Sequence, residues 1–241
     1  RGAPVQLATK PWSIQRKHEA ILRGPHKSSY EHLEFLRGEM EDMVHKAIWT
    51  VLPYAQLKHL PNLRISPIGV VPQHERRPRT IVDYTFHDVN ADTLRLSPAE
   101  AMQFGRALER IITQVVHADP KHGPVYFIKI DLSDGFYRVS LRPEDIPKLG
   151  VAFPTLPHEE PLVALPLALP MGWAESPPYF CAVTETIADI ANERIMKNRH
   201  PSPHNLERDA NMRPPDEPSH RAPAPQLASL QVPTTRDPLA P

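Results

Sequence analysis

The chain of 241 residues has one cysteine, nine glycines, equal numbers of acidic and basic side chains and no long apolar run. With Cys181 alone, no disulfide can form within the chain, which suits a reducing compartment. The N-terminal "RGAPVQLATKPW" has no apolar core of a secretory signal. The expectation is an intracellular protein, cytoplasmic or nuclear and not secreted. No stretch approaches the roughly 18 apolar residues of a membrane span, so no membrane partner is expected. The balance of 28 Lys and Arg against 28 Asp and Glu argues against a strongly basic nucleic-acid-binding domain, although a local groove can hide in the sum. The 13 histidines are scattered, with no pair at helical ligand spacing supported by Cys or acid, so a zinc site is not expected. No internal repeat is found.

Proline, at 30 residues, is abundant, and it is unevenly used. Residues 1–27, with Pro4, Pro11 and Pro25, read as a loose arm. Residues 28–197 carry the patterned sequence and read as one folded domain. Residues 198–241 have many prolines, no period and few bulky apolar side chains, and read as a disordered tail. The chain also lacks an initiating Met, as expected of a piece of a longer polyprotein.

Within 28–197, Leu33, Leu36, Met40, Met43, Val44, Ala47 and Ile48 recur at helical spacing, with Ser28 or Ser29 available as a cap. The β-branched runs Leu63–Pro72 and Arg79–Phe86 flank the charged "QHERRP", which predicts a hairpin with a basic tip and a turn longer than two residues. Ser97, Pro98 and Glu100 form a capping box ahead of a helix to Val116, with Ala101, Phe104, Leu108, Ile111, Ile112 and Val115 as its buried stripe. "VYFIKI" predicts a buried strand ending at Asp131, with "RVSL" as a second short strand or its continuation. "RPEDIPKL" predicts a helical turn, and "GVAFP" and "PLVALPLALP" predict strands. A helix is predicted over Ser176–Met196, capped by Ser176, with Phe180, Val183, Ile187, Ile190 and Ala191 on its apolar face. Mixed strands and helices indicate an α+β fold, with the two long helices able to cover one face of a sheet.

Three features carry possible chemistry. A carboxylate at the end of a buried strand needs a cation, and Mg²⁺ with a neighbouring backbone carbonyl is a natural one; Asp131, with Asp134 three residues on, is that candidate. The spacing alone better describes an acid that ends a strand and caps a turn, with Asp134 solvated. Arg76, Arg77 and Arg79 cluster in the hairpin, and guanidinium forks suit a polyphosphate. Most such runs are solvated turns; Arg79, inside the strand, is the one whose direction would be fixed. Third, Met171-Gly172-Trp173 lies between a strand and a helix N-terminus, where Gly172 permits close approach of another backbone or a base.

Together and in order, "RTIVDYTFHDVN", "DLSDGFYRVSL" and "LPMGWAESPPYF" resemble the fingers and palm of reverse transcriptases of LTR-type retroelements. The resemblance covers roughly Leu60 to Ile195. It implies an RNA-directed DNA polymerase of right-hand fold, with an incomplete antiparallel sheet and helices on one face. It implies that Asp131 is the first catalytic carboxylate, a ligand of two Mg²⁺ ions, and that Leu132 adds a backbone carbonyl to one of them. Asp134 and Gly135 match backbone positions around the incoming triphosphate, and Phe136 the ring that excludes a 2′-OH. Arg79 matches the arginine that clamps the triphosphate. Met171 packs on the nucleotide, and Gly172-Trp173 lie near template and primer. The implied partners are an RNA/DNA template-primer, deoxynucleoside triphosphates and the rest of the polyprotein: the missing palm hairpin, the thumb and the RNase H part.

Two departures stand out. Gln73 occupies a place near the fingers strand where the family usually has Lys. The family's Tyr-x-Asp-Asp hairpin has no counterpart, since no Asp-Asp pair occurs in the chain, and Asp209, Asp216 and Asp237 lie in Pro-rich polar sequence. One carboxylate cannot hold two Mg²⁺ ions against their repulsion, so the isolated chain is expected to be inactive. Two alternatives remain: a non-catalytic nucleic-acid- or protein-interaction module that keeps the fold, and an unrelated Mg²⁺-dependent phosphotransfer domain using Asp131 and Asp134.

Overall fold

A computed structural model describes residues 2–96, 107–127 and 131–197. The predicted capping box at Ser97–Glu100, the end of the "VYFIKI" run and the tail 198–241 lie outside these residues. Two compact units are distinguished, residues 1–181 and 182–241, and their boundary falls within the last helix. No helix among the described residues is long and apolar enough to cross a membrane.

The first unit is a mixed α and β structure on a five-stranded sheet. Its strands are β1 (Trp49–Pro53), β2 (Ile65–Gln73), β3 (Arg76–Val82), β4 (Gly150–Phe153) and β5 (Leu162–Pro166), in the order β1-β5-β4-β2-β3. Only the β2–β4 pair is parallel. Fully buried on both faces, β4 reads "GVAF" without polar alternation, as a central strand does.

The hairpin tip is tighter than its sequence suggests. Gln73 pairs with Arg76, leaving His74-Glu75 as a two-residue turn, with Glu75 at φ 56° and a bulge between Val71 and Gln73. The positive φ that Asn or Gly usually supplies is here adopted by Glu, and the bulge absorbs the extra residue.

The helical run at 28–48 is divided. α1 (Ile14–Arg23) precedes it; α2 (Lys27–Glu31) and α3 (Leu33–His45) are separated at His32. Leu36 and Met40 of α3 are buried, whereas Val44 is exposed. Ala47, at φ 54°, turns the chain out of the helix, so Trp49 opens β1 instead of extending the helical face. Neither serine acts as a helix cap. The Ser29 hydroxyl donates to the Ile68 carbonyl (2.7 Å), and the Ser28 hydroxyl accepts from Val70 N–H (3.1 Å). Beyond Pro67, no strand among the described residues pairs with β2 on that side, and the two hydroxyls bond to its open backbone.

Residues 2–27 are not a loose arm. Ala3, Val5, Trp12, Ala20 and Ile21 belong to the main core. Val5 N–H donates to Asp145 Oδ2 (2.9 Å), and Lys148 Nζ donates to both the Val5 carbonyl (2.6 Å) and Asp145 Oδ1 (2.5 Å). Asp145 and Lys148 sit on the 3₁₀ stretch Pro143–Leu149, the helical turn expected there. Further along, Thr9 donates its N–H and hydroxyl to Asp92 (2.8 and 2.6 Å), and the buried Lys17 caps the carbonyls of Lys58 and Leu60. Proline-rich composition misled because, outside α1 and its caps, the segment makes its backbone bonds to distant residues and not to itself.

Short helices α4 (Tyr54–Leu57) and α5 (Val89–Asp92) fill connections; α6 spans Ala107–Val116 and α7 spans Ser176–Met196. The expected buried stripe of α6 is open: Leu108, Ile111, Ile112 and Val115 are exposed. In the second unit, the described part of α7 exposes Val183, Ile187 and Ile190. The "RVSL" segment forms single bridges and no strand, Leu141 with Ala3 and Ser140 with Ala168.

Candidate functional site

The basic hairpin presents its three arginines differently. Arg77 pairs with Glu39 of α3 at 3.3 Å and lies 5.4 Å from the Phe35 ring centre, while the Thr80 hydroxyl donates to Glu39. Arg76 closes the tip against Gln73. Arg79 stands opposite Val71 on the solvent face of β3, exposed together with Ile81. A guanidinium in that position is open to an anion.

The run after β3 is built into the scaffold. Asp83 Oδ1 accepts from the N–H groups of Thr85 (3.1 Å) and Phe86 (3.0 Å), and its Oδ2 lies 3.2 Å from His26 Nε2. Tyr84 is fully buried and donates to the Leu149 carbonyl at 3.0 Å; burial, then the neighbouring Tyr137, pushes its phenol well above its ordinary pKa. Asn90 then clamps the third motif. Its Nδ2 donates to the Gly172 carbonyl (3.0 Å), and its Oδ1 accepts from Ala174 N–H (2.9 Å).

Gly172 has φ 95°, and a Cβ there would stand 2.4 Å from the Val82 carbonyl oxygen. The close approach foreseen at this glycine is therefore to the backbone of β3. Trp173 is buried and donates from Nε1 to Thr93 Oγ1 (3.1 Å), and the Ser176 hydroxyl donates to the Pro170 carbonyl (2.6 Å). Met171, beside this clamp, is 55% exposed.

The "DGFY" turn packs on the start of α7. Asp134 adopts a left-handed conformation (φ 55°) and lies 4.0 Å from Lys46 Nζ; Gly135–Arg138 make one 3₁₀ turn. A Cβ on Gly135 would come within 2.8 Å of the Phe180 ring, which packs edge-on against Phe136 at 5.3 Å. Burial first, then Glu39 and Asp134, raises the Tyr137 phenol pKa.

Asp131 departs from expectation. Residues 125–127 are not a strand, and Tyr126 and Phe127 are 69% and 73% exposed. Asp131 and Leu132 are exposed as well. Asp131 is therefore a solvated carboxylate and not the desolvated end of a buried strand. A strand requires a ladder partner for its N–H and C=O groups, and none of the five strands lies alongside 125–127. For Mg²⁺, the donors here are one solvated carboxylate and an adjacent carbonyl. Among the described residues no group of three or more His, Cys, Asp or Glu could hold a metal ion. This set does not fit a two-ion centre.

The structure thus joins Gly172 to β3 and Gly135-Phe136 to α7. It leaves Arg79, Met171 and Asp131 as exposed side chains on three separate segments. Asn90, which links two of the motifs, was not singled out from sequence; its only signal was a polar residue closing "HDVN". No family model matches the chain, and no curated protein matches it.

Proposed function

We propose that this chain is a fingers–palm portion of an LTR-type reverse transcriptase, an RNA-directed DNA polymerase by descent, and inactive in isolation. The observation that supports the reading is the interlocking of the three motifs. Asn90, nine residues after Ile81, holds the backbone of "MGWA", and the helix that follows this loop receives "GFY" through Phe180. Motifs that serve one nucleotide site need this mutual positioning, since phosphoryl transfer is largely a matter of orientation and charge neutralisation. In this reading Arg79 meets the triphosphate and Phe136 the sugar. Asp134, Gly135, Met171 and Gly172 surround the nucleotide. Asp131 with the Leu132 carbonyl supplies the first half of the Mg²⁺ site, and the absent Asp-Asp hairpin supplies the second half and the ladder partner for the run before Asp131. The exposed Leu108, Ile111 and Phe127 are covered by the rest of the polymerase.

The test is a chimera in which residues 1–197 are joined to the remaining palm and thumb of a retroelement polymerase and assayed by primer extension on an RNA template. Synthesis should occur with Mg²⁺, vanish with Asp131→Asn, and accept ribonucleotides with Phe136→Ala. Synthesis that survives Asp131→Asn sinks the proposal. The exposed, solitary Asp131 favours a second reading, a non-catalytic interaction module on the same fold. A soluble chimera that binds template-primer without ever extending it supports that reading.

A further inference from the structure

The half-buried His26 ring lies between the end of α1 and the turn after β3. Its backbone N–H donates to the Ile68 carbonyl of β2 (2.8 Å), and the ring lies over Gly69, where a Cβ would stand 3.3 Å from it. The Phe86 ring meets it edge-on at 5.6 Å. Nδ1 is 3.2 Å from Arg23 Nη2, and Nε2 is 3.2 Å from Asp83 Oδ2. Asp83 is itself held, since its Oδ1 accepts the Thr85 and Phe86 N–H groups. Arg23 also donates from Nη1 to the Gly24 carbonyl (2.8 Å), and its guanidinium carbon lies 4.2 Å from the Phe86 ring centre.

These neighbours fix the tautomer. A guanidinium offers donors only, and an ionised carboxylate acceptors only. Nδ1 therefore carries the lone pair and Nε2 the proton, so that a neutral imidazole joins a cation to an anion. The imidazolium has an N–H on both nitrogens. Its Nε2–H keeps Asp83, but its Nδ1–H faces the donors of Arg23, and a hydrogen bond becomes a contact of like charges. Turning the ring would surrender Asp83. The other charges around the ring do not offset this. Lys27 of α2 is exposed and paired with Glu31 (3.3 Å). β2 presents backbone, and β3 brings Ile81, with the exposed Arg79 two residues away. His87 and Asp88 follow Phe86 in the chain. The His87 ring is edge-on to Phe86 at 4.8 Å, and burial, then Arg23 and Arg16, lower its pKa, against Asp88 and Asp83.

We propose that His26 is a proton-operated link between α1 and the turn after β3: the neutral ring ties Arg23 to Asp83, and the imidazolium keeps Asp83 and releases Arg23. Acid thereby turns a bridged arginine into a free one beside the exposed Phe86. The link is independent of the polymerase proposal, since it uses none of the residues assigned there to the nucleotide or the metal.

The full chain, labelled with ¹⁵N, is titrated by NMR from about pH 8 to about pH 5, the range in which histidine changes charge. At the alkaline end the His26 ring should show the Nε2–H tautomer. On acidification the Arg23 side-chain signals should shift with the same midpoint as the His26 ring. His26→Gln keeps a donor and an acceptor without taking up a proton, and should abolish the Arg23 shift; His87→Gln should leave it. In Arg23→Met, His26 should hold its proton to higher pH, because a neighbouring positive charge is gone. Arg23 is exposed, so this variant does not threaten the fold. The tautomer and the Arg23→Met titration need no change at His26, so they decide the matter even if His26→Gln does not fold. An Nδ1–H tautomer, an Arg23 shift that follows His87 instead of His26, or an unaltered His26 titration in Arg23→Met overturns the proposal.

Discussion

Two short apolar stretches outside the sheet meet opposite fates. In the N-terminal segment, Ala3 and Val5 are buried, yet the segment around them contains prolines and forms only isolated bridges. Val125–Phe127, bulkier and more β-prone, lies in solvent. The difference is in the backbone. Val5 gives its N–H to Asp145 and its carbonyl to Lys148, and Ala3 exchanges bonds with Ser140 and Arg142. Among the described residues no comparable partner reaches 125–127. Burial of an apolar side chain carries its peptide groups along, and those must be satisfied or left in water.

The comparison can be broken most forcefully by deleting residues 2–12. This exposes the core beneath Ala3, Val5 and Trp12, each larger side chain worth about 1.5–3 kcal/mol, and strands Asp145 and Lys148. Cooperative thermal unfolding, followed by circular dichroism, should disappear; a retained transition would mean the segment is dispensable. Next in size, Asp145→Ala removes a buried carboxylate, leaving the half-buried Lys148 without its counter-charge and Val5 N–H unpaired, and should cost about 3–5 kcal/mol in urea unfolding. Gly172→Ala forces a side chain at positive φ against the Val82 carbonyl and should cost about 1–3 kcal/mol. It should also speed hydrogen exchange at Ala174 as the Asn90 clamp loosens. Smallest is Phe127→Asp, expected to change stability by less than about 0.5 kcal/mol and to improve solubility. A loss above 1 kcal/mol would show that this run is packed in solution.

The strands of the hairpin, β4, β5 and the final helix were readable because period and composition act locally there. Beginning β1 at Trp49 was not, since "AIWTVLP" continues an apolar helical face and only the positive φ at Ala47 breaks it. The packing of residues 2–27 was hidden for a different reason: its bonds reach Asp145 and Lys148, a separation no window along the chain spans. At the candidate site, sequence located Gly172 as a point of close approach but could not say that β3 approaches it. It placed Asp131 on a strand because "VYFIKI" is intrinsically β-like, and a strand exists only where another strand accepts it.

The clasp between Val5 and Asp145 has a consequence in time. The two residues are 140 positions apart, so on a ribosome adding about 5–20 residues per second Val5 emerges some 7–28 s before its acceptor. The part of the core made first is completed late. Throughout that interval Val5 and Trp12 are exposed to chaperones and proteases, and the chain's yield in a cell depends on how well they are shielded before Asp145 is made.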